Sequence, residues 1–181
     1  MHYANIKTHD IANGPGVRVS LFVSGCLIHC PECFNKEAWD YEYGEEFTRY
    51  TLKYILEKLK PHYIKGFSVL GGEPLSPPNV EEVIRIVKDV RTVYPEKSIW
   101  VYTGYPFEDC YENPVLKPLW ELIDVLVDGP FQVTNKIIDL RFRGSTNQRV
   151  IDIKRTLTEG EIVLYDISDK EIEKPKMKYD L

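Results

Sequence analysis

The chain is 181 residues long, 43% hydrophobic and 12% aromatic, which is enough for one well-cored domain and short for two. Its 28 acidic residues against 23 basic ones give a net charge of -5 without a long basic run, so nucleic-acid binding as the main role is disfavoured. No apolar stretch of about 18 residues occurs and the start does not read as a secretory signal, so a cytoplasmic protein with reduced thiols and no membrane contact is expected.

Residues 6–12 run into Asn13-Gly14-Pro15-Gly16, where two glycines around a proline mark a tight turn. It is either only a turn or a loop whose small residues admit a substrate backbone. The apolar, β-branched run Val17-Arg18-Val19-Ser20-Leu21-Phe22-Val23-Ser24 then reads as a buried strand. Within it, Arg18 either serves that approach or pairs with a surface carboxylate.

The next stretch carries the chemistry. Cys26, Cys30 and Cys33 stand in the spacing C-x3-C-x2-C on a loop leaving the strand's C-terminal end, where α/β sheets and barrels place their ligands. Three close thiolates can hold three corners of an iron–sulfur cube, which usually takes four cysteines, and one iron is then left to bind something other than protein. Zinc held by the three thiolates and His29 fits less well, because His29 abuts Cys30 whereas structural zinc ligands come in spaced pairs. A disulfide would leave one of the three unpaired. Cys110 stands apart and reads as structural.

Trp39, Tyr41 and Tyr43 form an aromatic patch that either covers a core edge or docks a partner. A helix is predicted over 48–60, with Leu52, Ile55, Leu56 and Leu59 at helical spacing and Pro61 ending it. A second buried strand, 66–70, leads into Gly71-Gly72-Glu73-Pro74, a turn whose glycines let backbone N–H and C=O groups approach a ligand. A helix over 79–94 follows, with Asn79 as its expected N-cap and Glu82 as capping-box partner.

A strand at 98–102 ends in Thr103-Gly104-Tyr105, a short helix is expected at 116–122, and a strand at 123–127 closes on Asp128-Gly129-Pro130. Arg141, Arg143 and Arg149, beside Ser145, Asn147 and Gln148, form either a solvated surface or a binding loop for a carboxylate or a partner segment. Residues 149–153 and 162–165 suggest a final strand pair. The Lys/Glu-rich tail, 168–181, is expected to be mobile or laid on the surface, leaving residues 1–167 as one domain. The repeating strand, ligand-like turn and helix imply parallel strands and right-handed crossovers, with too few units for a closed barrel. An open, partial parallel (β/α) barrel is the expected fold.

Together, the NGPG turn, the cysteine loop, Gly71-Gly72-Glu73-Pro74, Trp100-Val101-Tyr102-Thr103-Gly104-Tyr105, Val125-Leu126-Val127-Asp128-Gly129 and Arg143-Gly144-Ser145-Thr146-Asn147-Gln148 resemble the radical S-adenosylmethionine superfamily. Within it, their order is similar to that in the activases of anaerobic ribonucleoside-triphosphate reductases. The resemblance implies that Cys26, Cys30 and Cys33 ligate a [4Fe-4S] cluster whose free iron chelates S-adenosylmethionine. Gly71, Gly72 and Glu73 would line the methionine end, and Thr103 and Gly104 would lie near the nucleoside. Glu32 stands before the third cysteine where many members carry an aromatic residue, and Phe34 stands just after it. Both, with Cys33, are candidate cofactor contacts.

Reductive cleavage would yield a 5′-deoxyadenosyl radical that abstracts hydrogen from a glycine of the reductase large subunit, fed by a one-electron donor such as a flavodoxin-type protein. No general acid or base is required. Activation of another glycyl-radical enzyme, a different small radical enzyme of the superfamily, and a zinc-binding interaction module are the rival readings.

Overall fold

A computed structural model describes residues 1–168, and the expectation for the tail falls outside them from residue 169 onward. Its strands are β1 (His2–Asp10), β2 (Val17–Val23), β3 (Glu45–Glu46), β4 (Ile64–Gly71), β5 (Ser98–Tyr102), β6 (Val125–Asp128) and β7 (Arg149–Asp152). They form one open sheet in the order β3-β1-β2-β4-β5-β6-β7. From β2 to β6 the strands are parallel; β3, β1 and β7 run antiparallel to their neighbours.

The expectation of parallel strands throughout therefore holds for the middle only. The turn between β1 and β2 is too short for a crossover, so these strands must pair antiparallel. The sequence concealed β1 because its inward positions are not all apolar: burial alternates from Asn5 to Asp10, yet the inner side carries Thr8 and Asp10 beside Ile6. At the other edge, β7 is followed at once by α5 (Ile153–Glu159), capped by the Asp152 carboxylate accepting from the Arg155 amide. The expected closing strand pair is thus reduced to β7 and an isolated bridge between Ile151 and Leu164.

Helices α1 (Arg49–Leu59), α2 (Pro77–Val93), α3 (Phe107–Tyr111) and α4 (Lys117–Trp120) complete the fold. At the start of α1, the Thr48 hydroxyl accepts from the Tyr50 and Thr51 amides and the Thr51 hydroxyl accepts from the Thr48 amide, a reciprocal cap. The start of α2 corrects the sequence reading. Pro77 and Pro78 occupy its first turn and Ser76 the cap position, so Asn79 lies inside the helix and is buried. Glu82 pairs with Arg85 on the exposed face and caps nothing.

The sheet has two unlike faces. Val19, Leu21, Val23, Phe67, Val69, Ile99, Val101 and Leu126 join the helices in one large core. On the opposite face Trp100, Val125, Val127 and Val150 are covered by Phe142, Tyr165 and Ile167 from irregular segments. The Trp100 ring meets those of Phe142 and Tyr165 edge-on, with centroids 5.3 and 5.2 Å away.

Arg18 lies on this second face with no exposed surface, and it fits neither expectation for it. Its Nε donates to Ser68 Oγ (2.8 Å), Nη1 to Ser98 Oγ (2.7 Å), and Nη2 to the Phe67 and Ser98 carbonyls (2.8 and 2.9 Å). A Cβ on Gly66 would stand 2.5 Å from Nη1, so only glycine leaves room for the guanidinium. Burial pushes the guanidinium pKa down to about 10, which leaves it charged at neutral pH. Ser68 Oγ in turn donates to the Asn13 carbonyl (2.6 Å), and Asn13 Nδ2 donates to Asp10 (2.6 Å). The NGPG turn is therefore locked to the N-terminal ends of the strands, at the far end of β2 from the cysteines. That geometry rules out an approach of substrate to the thiols across this turn.

Replacing Arg18 by Met is expected to lower the unfolding free energy by about 3 kcal/mol, since buried hydroxyl and carbonyl partners lose their donors. A urea titration measures it, and a loss well under 1 kcal/mol would show that the brace is dispensable.

Candidate functional site

The C-terminal ends of β2, β4, β5 and β6 meet at one rim, and the cysteine loop leaves from β2. Its base is closed by the returning segment: the Gly25 amide donates to the Ala38 carbonyl (2.8 Å) and the Cys26 amide to that of Trp39 (3.1 Å). Gly25 has φ 93°, and a Cβ there would fall 1.9 Å from the Tyr41 ring, so the chain can turn at this point only without a side chain. His29 stacks on Trp39 with centroids 4.4 Å apart, and the Tyr43 hydroxyl donates to Glu37 (2.8 Å). The aromatic patch read from the sequence therefore braces the cysteine loop.

All three loop thiols are free, Cys26 buried and Cys30 and Cys33 half-buried. The Cys33 amide donates to the Cys30 carbonyl (3.0 Å) and folds the second half of the loop into a turn. His29 and Glu32 adopt left-handed backbone angles, φ 49° and 54°, unusual for residues with side chains and a mark of local constraint. Burial pushes the Cys26 and Cys30 thiols up, while backbone N–H groups of Ile28 and His29 at Cys26, and of Phe131 at Cys30, act in the opposite sense. Glu32 and Phe34 are exposed.

Gly71 and Gly72 bring the end of β4 against the loop. A Cβ on Gly72 would stand 2.5 Å from the Gly25 carbonyl oxygen. The Gly72 amide donates to the Val23 carbonyl and the Glu73 amide to that of Gly25, both at 2.7 Å. The sequence suggests that these N–H groups face a ligand; instead they bind the start of the cysteine loop. Asn79, which is no cap, also holds this loop. Its Nδ2 donates to the Ser24 carbonyl (2.8 Å) and that of Glu73 (3.1 Å). The Pro77-Pro78 pair is the available signal, because it moves the helix start forward and leaves Asn79 needing a partner.

The Glu73 carboxylate turns inward and is 1% exposed. Oε1 accepts from the Leu75 amide (2.9 Å) and Thr103 Oγ1 (2.8 Å), and Oε2 accepts from the Gly104 amide (2.7 Å). Burial pushes its pKa up to about 7, against the pull of these three donors. Thr103 and Gly104 are thereby held beside the β4 turn, and the Ile28 methyl tip fills the space a Gly104 Cβ would need. The structure thus brings Cys26, Cys30, Cys33, Gly71, Gly72, Glu73, Thr103 and Gly104 to one rim.

The arginine loop closes the fourth side. Gln148 Nε2 donates to the Gly129 carbonyl (3.0 Å) and Asn147 Nδ2 to that of Pro130 (2.8 Å), which supports the turn after β6. Arg149 pairs with Glu108 and Asp128, and Arg141 donates to the Ile167 carbonyl, so both are structural. Cys110 lies in the helix-side core, where burial pushes its thiol up to about 12.

The donor set fits an iron–sulfur cluster in kind: three free thiols on one short loop, none of them tied up in a disulfide. Among the described residues, no three His, Cys, Asp or Glu side chains converge as ligands of a single metal ion. A cube asks for something different, since each thiolate meets its own iron.

A family model for a 4Fe-4S single cluster domain matches residues 12–151. The anaerobic ribonucleoside-triphosphate reductase-activating protein of Enterobacteria phage T4 is 42% identical over 150 residues, 83% of this chain and 93% of that protein. The protein of the same name from Escherichia coli K12 is 42% identical over 152 residues, covering 83% and 97%. That from Vibrio cholerae is 39% identical over 150 residues, covering 82% and 96%.

Because the folded pKa of Glu73 exceeds its ordinary 4.5, the folded protein binds more protons there than the unfolded chain, so stability through this group falls as pH rises from about 4.5 to about 7. Thermal melts of the cluster-free protein across this range are expected to show the slope in the wild type and its loss in Glu73→Gln. Equal slopes would place the titrating group elsewhere.

Proposed function

Since the chain belongs to the family of anaerobic ribonucleoside-triphosphate reductase-activating proteins, we propose that it activates such a reductase by generating a glycyl radical on the reductase large subunit. Cys26, Cys30 and Cys33 would hold the [4Fe-4S] cluster, with S-adenosylmethionine as the second cofactor. Held by these thiolates, the cluster would supply the reducing electron, and S-adenosylmethionine the hydrogen-abstracting chemistry, that leave the radical on the reductase glycine. The observation that carries this reading is the 42% identity across nearly the whole of the phage relative, together with three free thiols on one rim loop.

The chain's own residues bind and orient. The cysteine loop is pinned at both ends, by the Ala38 and Trp39 carbonyls and by the Gly72 and Glu73 amides, so its thiols are presented from a fixed base. Gly71 and Gly72 would serve the methionine end indirectly, by seating the end of β4 against the base of the cysteine loop. Thr103 and Gly104 lie near the nucleoside, and Ile28 covers Gly104 with an apolar wall that keeps water away. Glu32 and Phe34, on the outer side of the loop, are the remaining contact candidates. The open sheet, parallel from β2 to β6 with its turns at one rim, supports a partial (β/α) barrel of the radical S-adenosylmethionine type. The electron comes from a one-electron donor of the flavodoxin kind. No helix among the described residues is long and apolar enough to cross a membrane, and free thiols suit the cytoplasm.

Anaerobically reconstituted protein, reduced and mixed with S-adenosylmethionine and the reductase, is expected to give an electron-spin doublet on the reductase glycine. No doublet with an active reductase, but one on a different glycyl-radical enzyme, would redirect the assignment. Metal analysis is expected to find about four irons and four sulfides per chain, whereas one zinc without sulfide would refute the cluster. Cys26→Ala, Cys30→Ala and Cys33→Ala should each abolish cofactor cleavage and Cys110→Ala should not. Loss of the cluster in Cys110→Ala would overturn the three-ligand assignment.

A further inference from the structure

We propose that Glu73 is a positioning residue: its carboxylate sets the separation between the cysteine loop and the Thr103–Gly104 turn, and so governs cofactor binding without touching the cofactor. This rests on the activase reading for what is bound, but the strut itself is geometric. The Glu73 backbone amide is committed to the Gly25 carbonyl at 2.7 Å, one residue before the first cysteine. From the same residue the side chain reaches the next turn of the rim, taking Thr103 Oγ1 at 2.8 Å and the Gly104 amide at 2.7 Å. One residue thus joins the segments leaving β2, β4 and β5.

Its oxygens have no face turned toward a ligand. The residue is 1% exposed, and three neutral donors from its own chain converge on the carboxylate. A buried carboxylate satisfied by neutral groups persists only where its hydrogen bonds hold it, so removing one donor or the charge loosens what it joins. What it joins is Gly104, which Ile28 of the cysteine loop covers from the other side. Loosening the strut therefore shifts both the Gly104 turn and the cysteine-loop residue packed on it.

The test is a double-mutant cycle on the cluster-reconstituted protein. Glu73→Gln keeps the shape but presents an amide donor to a donor at Gly104 or Thr103, and Thr103→Val removes one hydroxyl donor. Isothermal titration with S-adenosylmethionine is expected to show binding about ten-fold weaker in Glu73→Gln, with cluster absorption unchanged. The double variant should fall clearly short of the product of the single effects, because both break one strut. Effects that multiply would mean that Glu73 acts independently of Thr103, and would overturn the proposal.

Amide exchange at Gly104, measured without S-adenosylmethionine, should accelerate about ten-fold in Glu73→Gln, since protection follows the local opening energy. A direct ligand role would leave it unchanged, and unchanged exchange overturns the strut. If Glu73→Gln fails to fold, Thr103→Val carries the test alone, and unaltered affinity there is equally fatal. Wild-type protein that holds its cluster yet binds no S-adenosylmethionine overturns the activase reading, while wild-type binding matched by Glu73→Gln overturns this inference only.

Discussion

The rim depends on the pairing of β2 with β4 continuing past the ends of both strands. The ladder runs in register from Arg18 opposite Gly66 to Val23 opposite Gly71, and the Gly72 and Glu73 amides then carry it on to the Val23 and Gly25 carbonyls. Two glycines make this possible. A side chain at either position would strike the backbone of β2 or of the cysteine loop. The loop is therefore irregular in its own conformation but sits on a base as fixed as a sheet, which suits a centre where small displacements are costly.

The other anchor lies at the opposite end of the same strands. Arg18 ties β2 to β4 and β5 through two hydroxyls and two carbonyls rather than through a carboxylate. Such a cation is tolerated because a guanidinium can divide its charge among several neutral acceptors, and because Trp100 lies 5.5 Å from its central carbon. The sheet is thereby closed at one end and carries the candidate site at the other. This division agrees with the general placement of ligands at the C-terminal ends of parallel strands.

Much of this is legible in the residues. The three-cysteine spacing, the glycine turn after a buried strand and the helical periodicity of α1 and α2 are local signals, and local chemistry dominates them. What stays hidden is set by distant partners or by the backbone. β1 is obscured by polar residues on its inner side, Asn79 takes its partner from Ser24, 55 residues away, and Arg18 finds its acceptors on two other strands. The middle of the sheet follows from strand and helix alternation, whereas its antiparallel edges come from connection lengths that the pattern of alternation does not weigh.

The fourth cysteine separates one residue type into two chemical populations. With its thiol pushed up to about 12 by burial, Cys110 stays protonated at neutral pH. Oxidants and alkylating agents need access to the sulfur, so exposure to air would damage the half-buried Cys30 and Cys33 first and leave the helix-side core intact. Aerobic inactivation of this molecule should thus leave behind a folded shell, a lesion confined to the place where new iron and sulfide can be delivered.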